Sequence, residues 1–469
     1  MAGTYQAGEE KIRPGVYRRY SVPETKTVAG AMTGVFAIPV KADFGPVGVV
    51  TAHTKAAEVS EMYGSGETVK GALNLFEGGA TKVYVYRLGT GGEKGKMELK
   101  DAEDAAVVSL ETKYPTDIAF TVSLKFVLGS EKEKEFSVYQ GAVLKEKMTY
   151  IVKEDEDEAD IFVDIVNKRS AIFNAEKATQ EKKTIADINQ KVITAGVSPS
   201  VTNEDYSAAF EAFEAFKWNI LVTDTTDTTI HTLLKAYMDR IKKNGAVGCC
   251  IVGEGMDVTF ESRLEHAKAF NSENFIYVGS GYIDAKGNKV DGYEAITMLA
   301  GIIGSTPSNQ SVVHKEVPAA VDVLEVLKNE DCIKAINNGM LVLSSGEEGQ
   351  VWFDSGVTTL TSLEVDQDAG WKKIRRTMTR YEMFDRIDRT IAPLVGRVNC
   401  NSEGIANVIK VAKDVLIAMV NENKLMDGAD FYEDPEQTHG TDDAHFVIEA
   451  TDIDSLEKIY LNYQFNFAG

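Results

Sequence analysis

Cysteine is scarce in this chain, four residues in 469, so no disulfide framework holds it together. No run of about 18 uncharged apolar residues is present, which excludes a membrane-spanning helix by length. Residues 1–20 hold no apolar stretch of the kind that marks a signal peptide, so none is expected. Basic side chains are outnumbered, 50 Lys and Arg against 72 Asp and Glu. The resulting net charge of −22 repels phosphate backbones and anionic lipid surfaces, so neither nucleic acid nor membrane insertion is expected. What is there is an ordinary globular composition, 43% hydrophobic and 26% charged. At this length the expectation is a soluble, acidic, intracellularly made protein of two to four domains.

Catalytic signatures are missing as well. There is no Gly-x-x-x-x-Gly-Lys-Ser/Thr phosphate loop, and Gly64-x-Gly66-x-x-x-x-Gly71 has the wrong spacing for a dinucleotide site. Gly253-Glu254-Gly255 does follow a strand-like run, but Glu254 would put a carboxylate where a pyrophosphate should sit. The six histidines show no His-Glu-x-x-His spacing. Cys249 and Cys250 adjoin in an apolar strand, so they point to opposite faces and read as small core residues rather than ligands. Asp224 and His231 would suit a triad only beside a Gly-x-Ser-x-Gly elbow, which is absent. No catalytic residue, cofactor or metal is therefore assigned. A nucleotide- or metal-dependent enzyme stands as an alternative, as does another self-assembling protein such as a surface-layer or tube subunit.

The pattern along the chain predicts an α/β plus β protein. Residues 1–22 read as an arm in which Val16, Tyr17 and Tyr20 are β-prone with nothing beside them to pair with. Strand-like runs at 35–40 and 47–51, a helical pattern over 54–76 broken near Gly64, and a strand at 82–87 make half of an α/β layer. Residues 95–167 look all-β, a small sandwich inserted into that layer, and the acidic run 154–160 reads as a solvated loop. Buried strands at 219–223, 246–252 and 274–278 alternate with helices at 228–243 and 260–270, the succession of a doubly wound parallel sheet. Helices at 293–303 and 321–329 and a strand at 340–343 follow. Residues 371–391 and 405–426 read as helices, 444–450 and 456–467 as strands. The expected division is an arm 1–22, an α/β domain 23–94 and 201–355, an insert 95–200, an α+β domain 356–455 and a terminal strand arm 456–469.

Two features point to assembly. Ile459, Leu461, Tyr463, Phe465 and Phe467 occupy alternate positions to within two residues of the chain end, an amphipathic strand. Burying five such side chains is worth at most about 8–15 kcal/mol, while ordering ten residues costs roughly 10–20 kcal/mol. Such a strand needs a sheet edge, in its own chain or on a neighbour. Lys372, Lys373, Arg375, Arg376 and Arg380 are five cations with no acid between them. A helix would put Lys372, Arg376 and Arg380 on one face, either a solvated surface or a docking surface for an acidic partner.

The chain resembles the tail sheath proteins of contractile bacteriophage tails and phage-tail-like bacteriocins. The resemblance rests on Arg13-Pro14-Gly15-Val16-Tyr17, Gly34-x-Phe36-Ala37, Phe44-Gly45-Pro46-Val47, Met62-Tyr63-Gly64, and Phe76-Glu77-Gly78-Gly79 before Val83-Tyr84-Val85-Tyr86-Arg87. Further on come Ile336-Asn337-Asn338-Gly339, the stretch 356–362 and Lys373-Ile374-Arg375-Arg376-Thr377-Met378. Thr358 departs from the family, which usually shows Asn there. The resemblance implies a doubly wound domain of subtilisin-like topology without a protease site, an outward insert and a C-terminal domain against an inner tube. It implies hexameric rings stacked helically, and contraction that drives the tube through a target envelope. Val16, Tyr17, Tyr20 and the five alternating residues from Ile459 to Phe467 would be intersubunit strands. The five cations would contact an acidic tube. Partners would be further copies of the chain, the inner tail tube protein, and baseplate and tail terminator proteins. The setting would be a virion tail or bacteriocin particle assembled in the host bacterial cytoplasm.

Overall fold

The computed structural model describes residues 33–64, 67–346, 348–365, 367–437 and 439–465, with the backbone of two short strands, Ala2–Thr4 and Val16–Arg18. The described residues fall into two compact units, one within 33–385 and 451–465, the other within 386–450 together with the two short N-terminal strands.

In the first unit a seven-stranded sheet runs in the order Met340–Leu341, Phe275–Val278, Cys249–Gly253, Ile220–Val222, Val35–Val40, Lys82–Arg87, Val50–His53. Every pairing is parallel except that of the edge strand Val50–His53. The winding reverses between Val35–Val40 and Ile220–Val222, as a doubly wound sheet requires. These strands are unbroken apolar runs because both faces are covered. Helices Lys70–Glu77 and Gly292–Ser305 bring Leu75, Ala295 and Leu299 against Ile38, Val85 and Ile251 on one face. Helices Asn203–Phe213, Thr228–Lys243 and Phe260–Phe270 bring Phe210, Leu234 and Leu264 against Ala37 and Leu221 on the other. Cys249 belongs to the first cluster and Cys250 to the second, the opposed placement their adjacency predicts.

The motif at 76–79 has a packing reason. A Cβ on Gly78 would lie 2.6 Å from the Met298 carbonyl oxygen, and one on Gly301 would lie 2.7 Å from that of Leu75. The two helices cross backbone to backbone, a contact only glycine permits.

Residues 96–192 hold a three-stranded sheet (Phe173–Lys177, Ala106–Thr112, Lys96–Lys100) and a four-stranded one (Val143–Ile151, Glu133–Gln140, Phe120–Phe126, Ile188–Val192) around a shared core of Leu99, Leu110, Val122 and Phe136. The expectation of pure β over 95–167 is corrected by helix Glu158–Arg169, which drops Phe162 and Val166 into that core. The acidic run is its start, not merely a loop. Asp157 caps the helix by accepting from the Ala159 amide, and acidic residues suit a helix N-terminus. Glu158 is buried, accepting from Lys134 Nζ at 2.9 Å and Tyr150 Oη at 2.8 Å. The expected helix at 321–329 is also corrected. Ala320–Val323 is a strand antiparallel to Tyr282–Asp284, and the helix comes later, at Asn329–Asn337.

In the second unit helix Ser402–Asn421, capped by Asn401, packs on a two-stranded hairpin of Asp430–Glu433 and Phe446–Glu449. Two corrections concern the ends. Val16–Arg18 pairs in parallel with Ala2–Thr4 rather than standing alone, and Tyr20 lies outside the described residues. Residues 456–465 form no strand, and Phe467 lies outside the described residues.

Candidate functional site

The carboxyl ends of the parallel strands, beside the point where the winding reverses, are where such a sheet would hold a ligand. At this end of the sheet stand several of the chain's own carboxylates. Asp291 accepts from the Met256 and Gly292 amides, both at 2.6 Å, and so occupies the start of helix Gly292–Ser305. Glu294 reaches back to the Asp291 amide at 3.0 Å and completes a capping box. Glu254, buried, has its Oε2 2.9 Å from His266 Nδ1. An anion would meet negative charge at each of these places. Burial pushes the Asp224 carboxyl up to about 6, opposed by hydrogen bonding to its own backbone and by Lys41. His231 Nε2 is held 2.9 Å from the Thr225 carbonyl oxygen, and burial lowers its pKa. Burial likewise pushes the Cys249 thiol up to about 12, which makes it a poor nucleophile. Among the described residues no group of three or more His, Cys, Asp or Glu side chains is disposed to hold a metal ion.

The basic cluster is the second candidate, and it begins with a fastening. Thr359, fully buried, donates its amide to the Phe275 carbonyl at 2.9 Å and its hydroxyl to the Ser272 carbonyl at 3.0 Å. Gly339 turns there with φ of +71°, where a Cβ would lie 2.7 Å from the Thr359 Cα. Thr358, the departure from the family pattern, donates its amide and its hydroxyl to the Lys372 carbonyl. The stretch 356–362 therefore ties the start of helix Ile374–Ile391 to the edge of the sheet.

On that support the five cations are spread differently from a single helix face. Lys372 ends the 3-10 turn Ala369–Lys372 and donates Nζ to the Thr361 carbonyl at 2.8 Å. Lys373 is extended, and its Nζ lies 2.6 Å from Asp454 and 2.8 Å from Glu457. Arg376 makes a two-pronged contact with Asp452, both bonds 2.6 Å, and a longer one with Asp368. Arg375 is buried, with Nη2 on the Asn309 carbonyl at 3.1 Å and Nη1 3.7 Å from Asp454. Arg380 lies over the Trp371 ring, 3.9 Å from its centroid. None of the five is an exposed side chain.

These contacts set the charges. The hydrogen bond with Asp452 holds Arg376 above the usual guanidinium value. Burial would raise Asp454, but the hydrogen bonds from Lys373 and the Ser455 amide together with the charges of Lys373 and Arg375 keep the carboxyl below the usual carboxylate value. Burial lowers the pKa of Arg375, with Asp454 opposing it. Asp452, Asp454 and Glu457 are the residues that sequence reading missed. Their signal was present, since three acids closely spaced just before an amphipathic segment complement an unbalanced basic run elsewhere.

Beyond Glu457 the chain leaves its support. Ile459 is 70% exposed, Leu461 69%, Tyr463 72% and Phe465 79%, and Tyr460 on the other side of the alternation is 89% exposed. Four of the five alternating apolar residues thus stand in solvent in a single chain. The hairpin of Asp430–Glu433 and Phe446–Glu449 pairs only with itself among the described residues.

Comparison with known proteins agrees with the resemblance. Residues 200–359 match the family described as phage tail sheath protein central domain. The phage-like element PBSX protein XkdK of Bacillus subtilis (strain 168) is 20% identical over 481 residues, covering 99% of both chains. The sheath tail protein Lin1278 from Listeria innocua has the same fold at a TM-score of 0.69 and 16% identity, over 90% of this chain and 96% of that one. The anti-feeding prophage helical sheath in its contracted state matches at a TM-score of 0.57 and 11% identity, over 97% of this chain and 99% of that one.

Proposed function

We infer that this chain, whose residues 200–359 match the phage tail sheath central domain, is a structural subunit of a contractile sheath. Its role is mechanical rather than catalytic, and its setting is a phage or phage-like particle tail. In this reading copies of the chain form six-membered rings that stack helically around an inner tube, anchored at a baseplate, with the core keeping the subtilisin-like topology of the resemblance. The domain division is the one given above, with the insert outward and residues 356–455 toward the tube. The observation that carries the reading is the amphipathic stretch 459–465, whose apolar side chains are exposed and which pairs with no strand among the described residues. A two-stranded hairpin is marginal alone and gains from added strands, which suits Asp430–Glu433 and Phe446–Glu449 as the acceptor on a neighbouring copy. Val16, Tyr17 and Tyr20 would add a second arm. A tube contact through Lys372, Lys373, Arg375, Arg376 and Arg380 carries a condition, because an acidic tube must compete with Asp452, Asp454 and Glu457 for three of them.

Negative-stain microscopy of the concentrated protein tests this. Hollow striated cylinders are expected from the full chain and none from a chain lacking residues 456–469, whose folded body stays intact. Cylinders of normal length from the truncated chain would refute the arm assignment.

A further inference from the structure

We propose that Lys373, Arg375 and Arg376 form an electrostatic anchor that seats the root of the C-terminal arm and fixes where it leaves the body. Three carboxylates, Asp452, Asp454 and Glu457, meet these three cations. Asp368 adds a longer contact to Arg376, and Ser311 donates its hydroxyl to Glu457 at 3.0 Å. The Arg376 pair is well shielded, its side chains 17% and 11% exposed, so salt screens it less than a surface pair. Arg375 is dependent on the seat. Among the described residues its Nε and Nη1 have no hydrogen-bond partner, and the Asp454 carboxylate lies 3.7 Å from Nη1. Lifting the root would leave a guanidinium buried without its counter-charge, so the seated state is favoured from both sides.

The contrast along the segment is the reason to read this as an anchor. Residues 452–457 are held, while residues 459–465 stand free. A strand that must find a sheet edge on another molecule gains if its starting point and direction are already set, because less freedom is lost on docking. The role in assembly rests on the sheath reading, but the anchor itself does not.

The test uses the full chain with Lys373→Gln and Arg376→Gln, changes that leave the arm's own sequence intact. A glutamyl endoprotease cutting after Glu457 must lift Asp454 and Glu457 from their seats. With fast opening, its rate reports the open population. Loss of two charge-assisted contacts predicts cleavage faster by about tenfold or more, with thermal unfolding still a single cooperative transition. The exchanged pair Arg376→Asp with Asp452→Arg restores slow cleavage. Rates within about twofold of wild type in the Gln variant would overturn the anchor. In the same variant the concentration needed for cylinders rises. If cleavage accelerates and that concentration does not move, the assembly role is overturned. Absence of cylinders from the wild-type chain would sink the sheath reading instead, leaving the cleavage result to decide the anchor.

Discussion

Replacing Tyr463 and Phe465 together by serine separates an arm that serves a neighbour from one that packs on its own body. In the single chain these side chains are 72% and 79% exposed. Their removal takes away almost no buried surface, so the dilute protein loses no more than about 0.5 kcal/mol. On a neighbour's sheet edge each would be worth about 1.5–3 kcal/mol on burial. The pair therefore contributes about 3–6 kcal/mol per arm as an upper bound, two to four decades in the equilibrium constant for docking. Two assays are needed. Urea unfolding at submicromolar concentration gives the stability of the chain alone, and sedimentation across a concentration series gives the threshold for large particles. The expected outcome is an unchanged urea midpoint with a threshold raised by at least a hundredfold. A midpoint that falls by the 2 kcal/mol or more typical of a buried aromatic would refute the reasoning, because the arm would then be part of its own core.

Gly301→Ala forces a Cβ to within 2.8 Å of the Gly78 Cα, and overpacking of backbone on backbone costs about 1–3 kcal/mol, read as a lower urea midpoint with unchanged slope. The Asp224 carboxyl has a folded pKa raised to about 6 against an ordinary 3.8, so the folded state holds the extra proton and its stability falls as pH rises from 3.8 to 6. Asp224→Asn should remove that dependence and stabilise the chain above pH 6 by up to about 3 kcal/mol; equal pH profiles of unfolding in the two proteins would contradict this. Glu158→Ala takes away the buried carboxylate on Lys134 and leaves it the Ile185 carbonyl and Asp187 at 3.8 Å, at a cost of up to about 3 kcal/mol, whereas Lys134→Met with Glu158→Leu is close to neutral, and hydrogen exchange over residues 96–192 distinguishes them.

How far the sequence could be read follows from where burial is local and where it is not. The parallel strands were legible because residues such as Ile220, Leu221 and Val222 are apolar without alternation, a pattern that needs no knowledge of the partners. The opposed cysteines followed from strand geometry alone. Helix Glu158–Arg169 was hidden because its first turn is acidic, and Glu158 is buried only because Lys134, 24 residues earlier, meets it. Ala320–Val323 was misread as helix because its strand partner, Tyr282–Asp284, is remote in sequence. The basic cluster was visible as an excess of charge, but its engagement was not, since Asp452, Asp454 and Glu457 lie more than 70 residues away. The alternation from Ile459 onward was plain, yet alternation states only which face wants burial. The chain alone leaves that face exposed, so no strand forms.

A helical reconstruction of the cylinders at side-chain resolution tests the central claim most directly. The account predicts residues 459–465 as a strand hydrogen-bonded to another copy's hairpin at 430–433 or 446–449, with Ile459, Leu461, Tyr463 and Phe465 covered. Density showing that segment folded back on its own chain, or a protein that stays monomeric at every concentration, would contradict it.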